Sequence, residues 1–146
     1  MEFDQALIDD LLVAMPIGNL LPDTPEAAAA RATALAKFAS EDLETVMVGG
    51  AVGLTAEFHG YEGFAAAWAD WLSAFERYES ELDEVVEGRD GALLVLTRQL
   101  ATPKGGDATI ESRAAAVLRF RGEKLARIEF HLDPATARRA AGLEEN

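Results

Sequence analysis

Apolar and polar side chains alternate strictly between Thr109 and Asp133, in two arms joined by a short turn. Small or apolar residues take every second position of both arms, namely Ser112, Ala114, Ala116 and Leu118, then Ala126, Ile128, Phe130 and Leu132. The positions between them are mostly charged in the second arm and mixed in the first. A period of two predicts strands with two different faces. The stretch is therefore predicted to be a long β-hairpin.

The turn between the arms decides which faces combine. A three-residue turn over residues 121–123 pairs Phe120 with Lys124 and brings the apolar residues of both arms to one face. A two-residue turn at Gly122–Glu123 brings the charged residues of the second arm there instead, because a slip of one residue inverts every side chain. The three-residue turn separates apolar from charged residues cleanly, and a glycine-assisted bulge is common at that length. We predict the three-residue turn.

Helical patterns come earlier in the chain. Residues from Phe3 to Met15 place their apolar side chains on one helix face, and Pro16 ends that helix. Thr24 is a predicted N-cap, with Pro25 at the first helical position of a second helix that runs to about Phe38.

The strongest helical pattern follows Gly60. Aromatic and apolar residues recur there on one helix face: Phe64, Trp68, Trp71, Leu72 and Phe75. Both tryptophans of the protein lie in this helix. An aromatic stripe usually covers a sheet. In the alternative interpretation, one or both tryptophans line a ligand cavity beneath the helix.

Short strands are predicted from Leu43 to Val48 and from Gly53 to Phe58. Longer strands are predicted from Tyr78 to Val86 and from Ala92 to Ala101, and a helical turn from Ala135 to Ala141 closes the chain. Helices, short strands, one helix and then three or four long antiparallel strands make an α+β fold.

Composition restricts the function classes. The 146 residues, expected to form a single domain (1–146), carry 26 acidic and 13 basic side chains, a net charge of −13. Such a field repels nucleic acid and anionic lipid, so neither is an expected partner. The chain has no cysteine, which excludes disulfides and thiolate chemistry. No apolar run approaches the roughly 20 residues of a membrane span and no basic leader opens the sequence, so we expect a cytoplasmic protein.

Several segments between Asp42 and Leu143 carry a family resemblance. They are Phe58-His59-Gly60, the helix with Trp68, Trp71-Leu72 and Phe75, the acidic strand from Glu81 to Glu84, and Lys124 to Asp133 followed by Ala140-Ala141-Gly142-Leu143. In this order they resemble the SnoaL-like branch of the nuclear transport factor 2-like superfamily. The resemblance implies a strongly curved antiparallel sheet wrapped as a cone around a cavity, packed by the N-terminal helices and the tryptophan-rich helix. It also implies a homodimer that packs sheet against sheet.

Enzymes of this superfamily include ketosteroid isomerase, polyketide cyclases and limonene epoxide hydrolase, and they need a carboxylate or histidine inside an apolar cone. By the resemblance, the isomerase base would fall in Thr45–Gly49, where the nearest acid is Glu44. Its second acid would fall near Ala116, and the epoxide hydrolase acid at Phe130. Because these positions carry inert side chains, we predict no catalytic residue and no cofactor. The two histidines lie far apart in sequence, so no metal site is expected.

The predicted cavity wall is apolar with a few neutral polar groups. If the apolar hairpin face looks inward, the neighbouring strand presents Val95, Thr97 and Gln99 to the same side, opposite Ser112. Tyr78 is a further neutral polar group there. The candidate ligand-binding residues are Phe64, Trp68, Trp71, Thr97, Gln99, Ser112 and Phe130. Because none of them titrates near neutral pH, the favoured function is binding of a hydrophobic small molecule without the known chemistry.

Two other functions stay open. One is an isomerase, cyclase or hydrolase that uses acids at unexpected positions, such as Glu44, Glu84 or Glu129. The other is a non-enzymatic dimerisation module whose cone is filled by its own side chains. The charged face is expected to form a convex polar network satisfied across a homodimer interface; its residues are Arg98, Arg113, Glu129 and His131.

Overall fold

The computed structural model describes residues 18–19, 24–48 and 55–143, and the helix predicted from Phe3 to Met15 lies outside this part. The described α-helices are α1 (Pro25–Phe38), α2 (Gly60–Leu72) and α3 (Pro134–Ala140). The described strands are β1 (Gly18–Asn19), β2 (Ala39–Val48), β3 (Thr55–His59), β4 (Phe75–Glu87), β5 (Leu93–Pro103), β6 (Ile110–Arg121) and β7 (Lys124–His131). None of the described helices is long and apolar enough to cross a membrane.

One curved, unclosed sheet contains these strands in the order β1-β4-β5-β6-β7-β2-β3. All neighbouring strands are antiparallel except β2 and β7, which run parallel. The α+β class and the curved sheet packed by the tryptophan-rich helix are confirmed.

Local sequence sets the helix ends. The Thr24 hydroxyl accepts a hydrogen bond from the Ala27 amide at 3.1 Å, and Pro25 opens α1. The predicted extent of that helix, to Phe38, is confirmed. Asp133 caps α3 in the same way by accepting from the Ala135 amide at 2.9 Å. Such caps satisfy amides that the first helical turn leaves unpaired.

The turn of the β6–β7 hairpin differs from the prediction. Arg121 pairs with Lys124, so the turn has two residues, and the predicted three-residue turn is wrong. Gly122, with φ +64°, occupies the first central position, where two-residue hairpin turns favour glycine.

A bulge in β7 nevertheless produces the predicted sidedness. Phe120 opposes Leu125, but Arg119 opposes Arg127, so Ala126 is an extra residue in its strand. Beyond the bulge the apolar residues of both strands share one face, as in the pairs Leu118–Ile128 and Ala116–Phe130. The apolar face therefore looks inward, as predicted.

Both faces of the central strands are covered. On the concave face, α1 and α2 bury the larger apolar cluster, which includes Leu35, Phe64, Trp68, Leu93, Val95, Leu118 and Ile128. On the opposite face, α3 covers a smaller cluster made of Ala92, Leu94, Leu96, Ala115, Val117, Ala137 and Ala141. Because β5 is buried on both sides, its residues 93–97 are apolar or neutral throughout.

Candidate functional site

A cavity of about 70 Å³ lies between α2 and the concave face of the sheet. Its position follows from side-chain size, because the alanines of β6 leave space beneath the aromatic side chains of α2. The lining residues are Met47, Val48, Trp68, Trp71, Tyr78, Ser80, Thr97, Gln99, Ala114, Ala115, Ala116, Phe130, His131 and Leu132. Since Leu132 is 45% exposed, the wall reaches the protein surface at this residue.

Aromatic rings hold the cavity wall in place. The Trp68 ring meets the Phe130 ring edge-on, with centroids 5.0 Å apart. The Trp71 ring meets the Tyr78 ring edge-on at 6.4 Å, and Phe75 packs against Tyr78 at 5.1 Å. Edge-to-face pairs at these distances stabilise beyond their buried area. The aromatic side chains of α2 are therefore packed against rings of both β7 and β4.

The polar atoms of the wall are few, and two are without a partner. Among the described residues, the Tyr78 hydroxyl and the Trp68 indole N–H are buried and make no hydrogen bond. Burial raises the pKa of Tyr78 to about 12, against a smaller lowering by the neighbouring Trp71 and Gln99 side chains. The Thr97 hydroxyl, by contrast, donates to the Ala114 carbonyl at 3.4 Å. The unpartnered groups are both hydrogen-bond donors.

Within the described part of the chain, His131 is the one histidine of the cavity wall, which includes no carboxylate, lysine or arginine side chain. The residue is 4% exposed, and its ring is already bonded, through Nε2 to Glu129 Oε1 at 3.0 Å and through Nδ1 to Thr136 Oγ1 at 2.8 Å. Because Thr136 belongs to α3, the ring lies on the face away from Phe130, its neighbour in the strand. The His131 ring is thus held by a hydrogen-bond network beneath α3, on the opposite side of the strand from the Phe130 ring.

The acids of the same network also point away from the cavity. A hydrogen bond with His131, supported by the Arg127 guanidinium at 2.9 Å, lowers the pKa of Glu129 to about 2. Arg127 also pairs with Glu44 at 2.6 Å. Glu84, on β4, is exposed. Glu44, Glu84 and Glu129, the acids considered for an enzyme, therefore lie outside the cavity wall.

The predicted ligand-binding residues fall into three groups. Trp68, Trp71, Thr97, Gln99 and Phe130 all line the cavity. Phe64 is buried in the core, 6.3 Å from the Phe130 ring, and is not part of the wall. Ser112 pairs with Gln99 as predicted but is exposed and lies beyond the wall.

Sequence reasoning missed Met47, Val48 and Ser80 as wall residues. Ser80 had a usable signal, since β4 alternates neutral residues (Tyr78, Ser80) with acids. Leu132 was placed on the inner face, but its position at the rim depends on where β7 ends, which alternation does not report.

The predicted charged face is divided in the structure. Arg98 pairs with Glu81 and with Glu111 at 3.5 Å, and Arg113 with Asp83 at 3.6 Å; these groups are exposed. Glu129 and His131 are instead covered by α3 and satisfied within their own chain. The predicted convex network is therefore split into an exposed set of ion pairs around Arg98 and Arg113 and a covered set around Glu129 and His131.

Comparisons with known proteins match this architecture. The model of the SnoaL-like domain family matches residues 25–128. No protein of curated function matches the sequence.

Solved structures show the same fold at low identity. TerC, co-crystallised with polyporic acid, superposes with a TM-score of 0.63 at 18% identity, over 92% of this chain and 95% of that one. A candidate SnoaL-like polyketide cyclase from Jannaschia sp. CCS1 gives 0.60 at 12% identity, over 100% and 99% of the two chains. A nuclear transport factor 2-like protein of unknown function from Burkholderia pseudomallei gives 0.59 at 19% identity, over 77% and 86%.

Proposed function

We propose, from the premise that this chain belongs to the SnoaL-like domain family, that it binds a hydrophobic small molecule in the cavity beneath α2. The observation that carries the proposal is the cavity itself, which is walled by aromatic rings and alanines, with a few neutral polar groups. Pockets of this composition hold apolar ligands and orient them through a small number of polar contacts.

The size of the cavity supports a ligand rather than a packing defect. Its volume of about 70 Å³ is several times the ~10–15 Å³ that one water needs. Interiors normally contain few voids larger than a water molecule, because each costs stability. A cavity of this size between aromatic rings therefore accommodates a ring-sized part of a ligand, and the exposed wall at Leu132 lets a longer molecule extend outwards.

The wall also explains why we propose binding rather than catalysis. Proton transfer needs a group that titrates near the working pH and reaches the ligand. The described wall contains no carboxylate, lysine or arginine side chain, and the ring of its one histidine, His131, is bonded to Glu129 and Thr136 on the opposite side of the sheet. The remaining polar side chains orient a ligand without exchanging protons.

A pair of substitutions on β6 tests the proposal. Ala116→Leu places a larger side chain in the cavity, whereas Ser112→Leu makes a similar enlargement at an exposed position of the same strand. We screen single-ring and two-ring hydrophobic compounds, and polyporic acid, by thermal shift, and measure hits by isothermal titration calorimetry. The proposal predicts at least a tenfold weaker affinity in Ala116→Leu, or about 1.4 kcal/mol, and no change in Ser112→Leu. Equal binding by both variants, or no hit at all, overturns it.

We also propose that the chain forms a homodimer through its exposed charged face. That face alternates acids and bases across three strands, through Glu81, Asp83, Arg98, Glu111 and Arg113. An isologous interface needs such self-complementary charge, because each patch meets its own copy.

Sedimentation velocity of the wild type and of an Arg98→Glu/Arg113→Glu variant tests the interface. A dimer that the double charge reversal dissociates supports the proposal. A monomeric wild type, or a dimer that the reversal leaves intact, contradicts it. Arg77→Glu is the control, because Arg77 lies on β4 but pairs with Glu79 rather than with this group.

A further inference from the structure

We infer that His131 is an imidazolium in the folded chain, and that this charged ring latches α3 against the sheet, so that the docking of α3 depends on pH. The groups of this latch lie on the side of β7 opposite to the Phe130 ring. The latch is therefore separate from the proposed ligand and does not depend on it.

The proton on Nδ1 of His131 is fixed by Thr136. The Thr136 hydroxyl donates its proton to the Asp133 carbonyl oxygen at 2.9 Å. Because a hydroxyl has one proton, the same oxygen can only accept from the ring. It lies 2.8 Å from Nδ1, so Nδ1 is the donor and carries a proton.

The proton on Nε2 is fixed by Glu129, whose Oε1 lies 3.0 Å away. The hydrogen bond with His131, supported by the Arg127 guanidinium, lowers the pKa of Glu129 to about 2, so this carboxyl group is ionised near neutral pH. An ionised carboxylate accepts hydrogen bonds and donates none. Both ring nitrogens are therefore donors, and only the imidazolium has two N–H groups.

Charge balance gives a second reason for the protonated ring. Glu44, Arg127 and Glu129 form a row with contacts of 2.6 Å and 2.9 Å, and His131 ends that row. With the imidazolium, anions and cations alternate and cancel along the row. With a neutral ring, one negative charge stays unbalanced beside the Glu129 side chain, which is 14% exposed. An uncompensated charge at a buried position is costly.

The elements around the ring offer it no other ionic partner in the part of the chain that the structure describes. The residue opposite His131 is Ala115 on β6 and Val48 on β2. The nearby charged groups are exposed or bonded elsewhere: Glu44 of β2 to Arg127, Arg113 of β6 to Asp83, Arg119 of β6 to the Ala140 carbonyl, Asp133 to the Ala135 amide, and the exposed Arg138 and Arg139 of α3. Glu129 and Thr136 therefore set the protonation of the ring.

The charged ring joins two elements. Because Thr136 belongs to α3 and Glu129 to β7, the ring holds the helix on the sheet, where Ala137 packs on buried residues of β5 and β6. A neutral ring has one N–H group and cannot donate to both partners. The contribution of the latch is therefore complete while the ring is protonated, and it is lost as the pH rises and the folded chain releases that proton.

Nitrogen spectra of the two histidines test the charge of the ring. The chain has only His59 and His131, and the exposed His59 serves as the internal reference. At about pH 7.5 an imidazole in water is mostly neutral, because its ordinary pKa is about 6.5. Long-range ¹H–¹⁵N correlation at this pH should show two protonated nitrogens in His131, with His59→Gln to assign the signals. An unprotonated nitrogen in His131 overturns the inference.

Hydrogen exchange tests the latch itself. The protection factors of the α3 amides are compared with those of β5 at pH values below and above the loss of the ring proton. We expect protection of α3 to fall about 2–10-fold as the ring loses its proton, the range of one hydrogen bond. His131→Gln should show no such fall, and His59→Gln should behave as the wild type does. Constant protection of α3 while the ring loses its proton overturns the latch.

A second pair of variants acts on the helix side of the latch. Thr136→Val removes the acceptor for Nδ1 at nearly the same shape, whereas Thr136→Ser keeps the hydroxyl. We expect the ring of His131 to lose its proton at a lower pH in Thr136→Val than in the wild type, and at an unchanged pH in Thr136→Ser. The same titration in all three proteins contradicts the inference. These measurements contain no ligand, so they do not depend on the proposed function.

Discussion

At the scale of single residues, the two tyrosines of the chain share one core but differ in what their hydroxyl groups do. Tyr61 packs against the concave cluster and ties α2 to the start of β2 through the Ala39 carbonyl. Tyr78 packs against Trp71 and Phe75 and leaves its hydroxyl without a partner in the described structure. One hydroxyl therefore stabilises the fold, and the other is available to a ligand.

This difference predicts opposite effects of the same substitution. Tyr61→Phe removes a made hydrogen bond and should lower the free energy of unfolding by about 1 kcal/mol. Tyr78→Phe removes an unpartnered hydroxyl and should leave that free energy unchanged or raise it by up to about 1 kcal/mol. Urea unfolding of both variants without ligand measures this. A loss in Tyr78→Phe as large as that in Tyr61→Phe would mean that the hydroxyl has a structural partner.

Glu129 gives a second prediction at this scale, on acid stability. Its hydrogen bond with His131 and its pair with Arg127 lower its pKa from 4.5 to about 2. The unfolded chain binds the proton of Glu129 more readily than the folded chain does. The contribution of Glu129 to the free energy of unfolding is therefore complete above the unfolded pKa and is lost as the pH falls from 4.5 to about 2.

Glu129→Gln should therefore cost about 2 kcal/mol near neutral pH, allowing for solvent screening. The difference in free energy of unfolding between this variant and the wild type should shrink as the pH falls from 4.5 to about 2. Chemical unfolding at a series of pH values checks this, with the exposed Glu84→Gln as a control. A difference that does not depend on pH would show that the carboxylate charge is not what stabilises this network.

At the scale of elements, the alternation of apolar and polar residues predicted more of the structure than the residues of the turns did. Alternation in β6 and β7 located both strands and their inner face, because burial of one face imposes the period of two. The predicted turn length was wrong because the register of the hairpin was judged on the assumption that both strands are unbroken. The extra residue at Ala126 compensates for the two-residue turn, and a small apolar residue in a bulge leaves no mark on the pattern.

Helix α3 shows a different limit of sequence reasoning. The sequence of these seven residues predicted a closing helical turn. It did not predict that this helix would cover Glu129 and His131. The Thr136 hydroxyl that bonds His131 looks like an ordinary surface threonine in the sequence. A charged strand face can thus be buried by a short helix that follows it, which the strand pattern alone does not indicate.

The docking of the segment after α3 gives a prediction for this element. Gly88 lies against it so closely that a Cβ would sit 2.5 Å from the Ala141 carbonyl oxygen. With φ −98° and ψ −165°, the backbone of Gly88 is open to any residue, so the contact alone requires glycine. The same carbonyl accepts a hydrogen bond from the Arg89 amide at 2.8 Å.

Gly88→Ala should therefore lower the free energy of unfolding by about 1–3 kcal/mol, the usual cost of overpacking. Gly106→Ala is the control, because its Cβ would lie 3.3 Å from the nearest atom, the Pro103 carbonyl oxygen. Equilibrium urea unfolding compares the two. Equal stability of both variants would show that the C-terminal segment moves aside at no cost.

At the scale of the whole molecule, charge and cavity have separate consequences. The net charge of −13 makes the folded chain repel itself, whereas its exposed ion pairs each contribute little. Sodium chloride screens the repulsion over a Debye length of about 10 Å at 0.1 M. The melting temperature should therefore rise as salt increases, as measured by circular dichroism. A fall with salt would mean that the surface ion pairs outweigh the repulsion.

The central claim, that the cavity beneath α2 holds the ligand, has a direct reporter. The chain has two tryptophans, and both line the cavity, so its two indole N–H signals in a ¹H–¹⁵N spectrum report on this site. During titration with acetophenone, we predict that both signals shift and saturate together in the wild type and in Ser112→Leu, but remain fixed in Ala116→Leu. Binding detected by calorimetry while both indole signals stay in place would contradict the account, because the ligand would then lie elsewhere on the molecule.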